Sequence, residues 1–151
     1  SLRQHKTVVV KYGDMKEEID ELIAPIISIL WKNKIKTASS CQETESNVQW
    51  MKYPVYSAFI QFNEEKYFKM FLDLVVSRFE KYSLEIDGKE NYDELAPYPL
   101  NYWTYEILPQ YDVETKKTVV ITTVFFPTKD ISTIFKILNK EEVNKEELEF
   151  L

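Results

Sequence analysis

Cys41 is the only cysteine in a chain of 151 residues, and it stands in the run Ser39-Ser40-Cys41-Gln42. A thiol at the end of a strand invites a nucleophile reading, which requires a histidine, a cation or a helix N-terminus to lower its pKa. The only histidine is His5, ahead of the first apolar run. A Cys–His pair therefore requires the N-terminal segment to fold back onto Ser39–Gln42. Packing as a small hydrophobe is the commoner fate of a free cysteine. Cys41 is thus a weak catalytic candidate, and the chain leans away from being an enzyme.

Other chemistries fall to simple counts. Ser39 and Ser40 share the same single histidine, and no G-x-S-x-G elbow is present. The two glycines, Gly13 and Gly88, supply neither a dinucleotide fingerprint nor a phosphate loop. One Cys and one His cannot make the usual Cys/His zinc set, and no D-x-D-x-D-G loop occurs. No metal and no cofactor is expected. Glu17, Glu18, Asp20 and Glu21 read as the solvated side of a helix.

The positive signal is aromatic. Ten Tyr, nine Phe and three Trp exceed what a small core needs, and Tyr and Trp suit pockets and partner surfaces. Tyr92, Tyr98, Tyr102 and Trp103 gather with Pro97 and Pro99 in or beside one irregular segment. A site is expected where Ser39–Gln42 and Pro127–Asp130 end and start their elements, because function concentrates in such loops. Gln42, Trp50, Tyr102, Trp103 and Asp130 are its candidate ligand-binding residues. The bland alternative for Asp130 and Pro127 is helix-start chemistry.

The elements that would position these residues follow from periodicity. Thr7–Tyr12 is a β-branched run ending at Gly13. Asp14 and Glu17 then resemble a capping box, and apolar residues from Met15 to Trp31 recur at spacings of three and four. Pro25 within that stretch either kinks the helix or marks where its regular part begins. Ile35–Cys41 reads as a short strand and Tyr56–Phe62 as a clear one. Asn63 can cap a helix carrying Phe68, Phe71, Leu72, Val75, Val76 and Phe79, with Glu65 and Lys69 paired outside. The stretch 83–101 reads as irregular. Trp103, Tyr105 and Ile107 alternate with polar residues, the polar turn Asp112–Lys117 follows, and Thr118–Phe126 reads as a central strand. Pro127-Thr128 opens a last helix with Ile131, Ile134, Phe135 and Leu138 on one face.

The expected order is β-α-β-β-α-β-β-α, an α+β fold with an antiparallel sheet and its helices on one face. It is ferredoxin-like, with an added C-terminal strand and helix. One domain spans 3–140, and an acidic tail, a short helix or disordered, covers 141–151. The net charge of −6 and pI near 5.0 disfavour general nucleic-acid binding. With no membrane span and no signal peptide, a cytoplasmic protein is expected. Its partner would be another protein, a second copy of itself or a small ligand.

Several blocks together resemble a group of small bacterial and phage-type proteins of unknown function. They are Ile19-Asp20-Glu21-Leu22-Ile23-Ala24-Pro25, Leu30-Trp31, Ile35-Lys36-Thr37, Ser40-Cys41-Gln42 and Phe125-Phe126-Pro127-Thr128-Lys129-Asp130-Ile131. The resemblance implies no activity. It supports the element order and points to the two loops around Cys41 and Asp130. Those proteins tend to carry Gly where Lys34 stands here, which implies a different turn geometry. Three function classes follow: a non-enzymatic binding module, a cysteine-dependent enzyme using Cys41, or an acidic mimic of nucleic acid.

Overall fold

The computed structural model describes residues 5–44, 57–87 and 102–140. The fold is α+β, and its elements run β1 (Thr7–Tyr12), β2 (Met15–Asp20), α1 (Ala24–Lys32), β3 (Ser39–Thr44), β4 (Ser57–Phe62), α2 (Glu65–Asp87), β5 (Thr104–Asp112), β6 (Lys117–Pro127) and α3 (Ile131–Lys140). The order is three successive ββα units, with one more strand than the sequence pattern suggests. That strand is β2, whose residues also fit a helical spacing. Tyr12 pairs with Met15 across the two-residue loop Gly13-Asp14, and Gly13 holds φ +58°. Glycine takes a positive φ at little cost, so the loop closes a tight hairpin where a capping box is expected.

Helix α1 accordingly begins at Ala24, with Pro25 in its first turn, where a missing N–H is harmless. Ile23, Ile26, Ile27, Leu30, Trp31 and Ile35 are all buried. Ile35 is not in a strand. Its N–H bonds the carbonyl of Leu30 at 2.9 Å, and the Lys34 N–H bonds that of Trp31 at 2.9 Å. These two bonds, with Lys34 at φ 61°, make a Schellman ending whose apolar closing residue is Ile35. β3 starts only at Ser39.

β1 and β2 form a sheet of their own, while the other strands make a four-stranded antiparallel sheet in the order β3-β4-β6-β5. This departs from the ferredoxin-like expectation. A split βαβ plan places the strands on either side of the first helix in one sheet, but β2 and β3 lie in different ones.

On the second sheet, Ala58, Ile60, Phe62, Val124 and Phe126 share one face by register and are fully buried. Helix α2 covers that face with Phe71, Val75 and Phe79. Phe68, Leu72 and Val76 pack as its partly buried flanks, and Lys69 reaches Glu65 at 3.3 Å. Residues 83–87, read as irregular from sequence, continue α2. In α3 the buried stripe is Ile131, Ile134, Ile137 and Leu138, whereas Phe135 is exposed. The tail 141–151 lies outside the described residues. Among those described, no helix is long and apolar enough to cross a membrane.

The left-handed conformation of Lys34 disfavours any side chain with a Cβ by roughly 1–2 kcal/mol. Lys34→Gly is therefore expected to stabilise the chain by about 1 kcal/mol, read as a higher midpoint of urea unfolding with an unchanged slope.

Candidate functional site

The hairpin β1–β2 meets the four-stranded sheet at β3, and three chemically capable side chains meet there. Cys41 lies opposite Phe59 in the β3–β4 ladder. That places it on the sheet face away from α2, because Ile60, its neighbour in β4, points toward the helix. Asp20 ends β2, and His5 precedes β1. One ligand atom from each of His5, Asp20 and Cys41 lies within 4.8 Å of the other two, and all three residues are half-buried. The N-terminal segment does fold back onto the strand that carries Cys41.

Hydrogen bonds fix the orientation of this trio. His5 Nε2 lies 3.0 Å from the Glu43 carbonyl oxygen. A carbonyl only accepts, so Nε2 is the donor in this bond. The Gln42 N–H donates to Asp20 Oδ2 at 3.0 Å. The Cys41 thiol points at the Glu43 carbonyl at 3.4 Å. Burial pushes that thiol above its ordinary range, and the nearby Asp20 carboxylate pushes the same way. At neutral pH the folded chain therefore holds Cys41 as a thiol. This raised thiol is what disfavours a nucleophile, not the His5 bond, which engages only one of the two ring nitrogens.

Asp20 is the residue that sequence reasoning missed. By helical spacing it falls with Glu17, Glu18 and Glu21 on a solvated face. The Gly13-Asp14 hairpin changes the period of that segment from helix to strand and turns Asp20 inward. The available signal is a β-branched run followed by the two-residue turn Gly13-Asp14. The count of one Cys and one His excludes an all-Cys/His ligand set but leaves a mixed set with a carboxylate open.

The two expected loops do meet. Thr128 Oγ1 donates to the Gln42 carbonyl at 2.6 Å, and the Gln42 side-chain oxygen accepts the Leu22 N–H at 2.7 Å. Gln42 thus joins elements, and its side chain is already engaged. Beside it, Leu22, Pro25, Thr128, Ile131 and Phe135 line a shallow groove of about 440 Å³.

Asp130 and Trp103 were expected as ligand contacts, and the structure buries both. The Trp103 Nε1–H donates to Asp130 Oδ2 at 2.9 Å. The Trp103 ring packs on Phe71, Phe79 and Phe126 with centroids 6.5, 5.1 and 5.1 Å away. This pair is internal structure. Asp130 closes a single 3-10 turn, Thr128–Asp130, that leads into α3, so a helix-start role describes it better than a contact role. Tyr102 is half-buried. Trp50, Tyr92 and Tyr98 lie outside the described residues.

No protein-family model, curated protein or solved structure matches the chain.

Two outcomes follow from this geometry. Cys41 in the folded chain should alkylate more slowly at pH 7 than in urea, its rate climbing only above the ordinary thiol range; a faster folded-state rate would restore the nucleophile. Because its folded pKa is raised, the stability it contributes is full below the unfolded thiol pKa and falls as pH rises through the folded one. Trp103→Phe removes a buried hydrogen bond to a carboxylate and should cost about 1.5–3 kcal/mol, measured by chemical denaturation.

Proposed function

We propose that this chain is a non-enzymatic interaction module, and that its docking element is the β5–β6 ribbon. The observation that carries this is a mismatch of lengths. β4 pairs with β6 only over Thr122–Pro127, whereas β5 and β6 continue together to Asp112 and Lys117. The ribbon outruns both the sheet and the helices that cover it. Register puts Tyr105, Ile107, Pro109 and Tyr111 on one face with Thr118, Val120, Thr122 and Val124. This is the same face that α2 buries farther along. Val124 is buried there, while Ile107 is 65% and Tyr111 60% exposed, with Val120 at 50%. Among the described residues no element covers this core-like surface, which suits docking better than solvent.

The free edge is less suited to strand addition. β5 is an edge strand, and Pro109 breaks its row of N–H donors, a common guard against edge pairing. The turn also has the rigidity a docking element needs. Asp112 Oδ1 accepts the N–H groups of Glu114 and Thr115 at 2.9 and 3.4 Å. These bonds hold the Asp112 carboxyl below its usual range.

Another protein chain is the partner class this surface fits. The turn carries Asp112 and Glu114 beside Lys116 and Lys117, a mixed-charge patch with the self-complementarity that a two-fold pairing of two copies needs. The cysteine-enzyme reading loses support because Cys41 is held as a thiol. The acidic-mimic reading loses support because the described acids are spread over β2, α2 and the β5–β6 ribbon rather than one stripe.

Sedimentation velocity over a concentration series tests the second copy as occupant. The wild-type chain is expected to self-associate. The double substitution Ile107→Lys with Val120→Glu should abolish this while leaving the circular dichroism unchanged, since both residues are exposed and the new charges are opposite in sign. A wild-type chain that stays monomeric at every concentration counts against self-association through this face.

A further inference from the structure

We propose that His5, Asp20 and Cys41 form a half-buried binding site for one zinc ion, which clips the β1–β2 hairpin to the four-stranded sheet. This is independent of the docking ribbon. The donor set is an imidazole nitrogen, a carboxylate oxygen and a thiol sulfur, three types that zinc takes together. Their ligand atoms already lie within 4.8 Å of one another. A tetrahedral ion with bonds of about 2.0–2.3 Å needs its ligand atoms roughly 3.3–3.8 Å apart. Small side-chain rotations close that difference.

The surrounding bonds are those of a supported metal site. Metal-ligating histidines donate their other ring N–H to a carbonyl or carboxylate, which sets the tautomer. His5 has such a bond from Nε2 to the Glu43 carbonyl at 3.0 Å, so that a zinc ion would be taken by the other ring nitrogen. Asp20 is held in the same manner. Its Oδ2 accepts the Gln42 N–H at 3.0 Å, leaving Oδ1 to face an ion. The ligands come from before β1, from the end of β2 and from β3, so an ion there ties the two sheets together.

Charge and protons balance. Zn²⁺ replaces the thiol proton of Cys41, a zinc–sulfur bond forms as the S–H bond breaks, and one proton goes to buffer. The thiolate and the Asp20 carboxylate then neutralise the ion. Three protein ligands leave a fourth position for water or an external donor, as in open zinc sites.

Cobalt(II) is the spectroscopic probe. Titrated into the full, freshly reduced chain, it should give a thiolate-to-cobalt charge-transfer band saturating at one ion per chain and displaced by zinc. Cys41→Ser should lose the band, and His5→Gln and Asp20→Asn should each weaken binding by about tenfold or more. Zinc should raise the melting temperature of the wild type and release about one proton per ion at neutral pH. Melting of each metal-free variant checks that it folds. Absence of the band in the folded wild type overturns the site. So does a band of equal affinity in folded His5→Gln and Asp20→Asn, because the thiol would then be binding alone.

Discussion

The two sheets share no ladder among the described residues, and Gln42 is where they are joined. Its backbone N–H donates to Asp20 at the end of β2, and its side-chain oxygen accepts from Leu22 just beyond. Its backbone carbonyl accepts from Thr128 ahead of α3. Three of the polar groups of one residue therefore tie the first ββα unit to the second and the second to the third. An unmade bond at a half-buried backbone group costs about 1–3 kcal/mol. Asp20 and Cys41 come together because this join holds β2 against β3, and His5 is held alongside by its own bond to the Glu43 carbonyl. Apolar packing of α1 on β1 and α3 reinforces the join without directing it, because burial is not directional.

A second constraint is the length of the aromatic core relative to the sheet. Trp103 is enclosed by Phe71, Phe79 and Phe126, and its polar tip is satisfied by the buried Asp130. That cluster anchors the start of β5 beneath α2. Phe68 stacks edge-on against Tyr105 at 5.8 Å, at the margin of the covered region. From Ile107 onward the strand still carries apolar and aromatic residues, but they are exposed. The aromatic surplus thus divides into a core share around Trp103 and a surface share on the ribbon.

Much of this was legible in the sequence where a signal is local. β1, β4, α2, the turn Asp112–Lys117 and the start of α3 follow from β-branched runs, three-four spacings and breakers. Pro25 marked the true start of α1. The failures also have local causes. Met15 and Ile19 satisfy a helical spacing and a strand spacing alike, so only the pairing with β1 decides between them. Phe135 fits the helical face of α3, but the buried stripe is completed by Ile137, one turn on from Ile134. Lys34 adopts the left-handed turn that glycine would favour, because burying Ile35 and closing the Schellman bonds outweighs the backbone cost.

By itself the sequence determined the α+β class and most element positions, since these depend on near neighbours along the chain. It also excluded the glycine-rich phosphate loops, since two separated glycines cannot supply them. Only the tertiary structure decided which distant residues meet. His5, Asp20 and Cys41 are separated by whole elements, and no spacing rule relates them. The same holds for Trp103 and Asp130, read as surface contacts and found as a buried pair. Exposure of the ribbon is likewise a tertiary fact: Ile107 and Val124 are both apolar, alternating strand positions, and only the reach of α2 makes one surface and the other core.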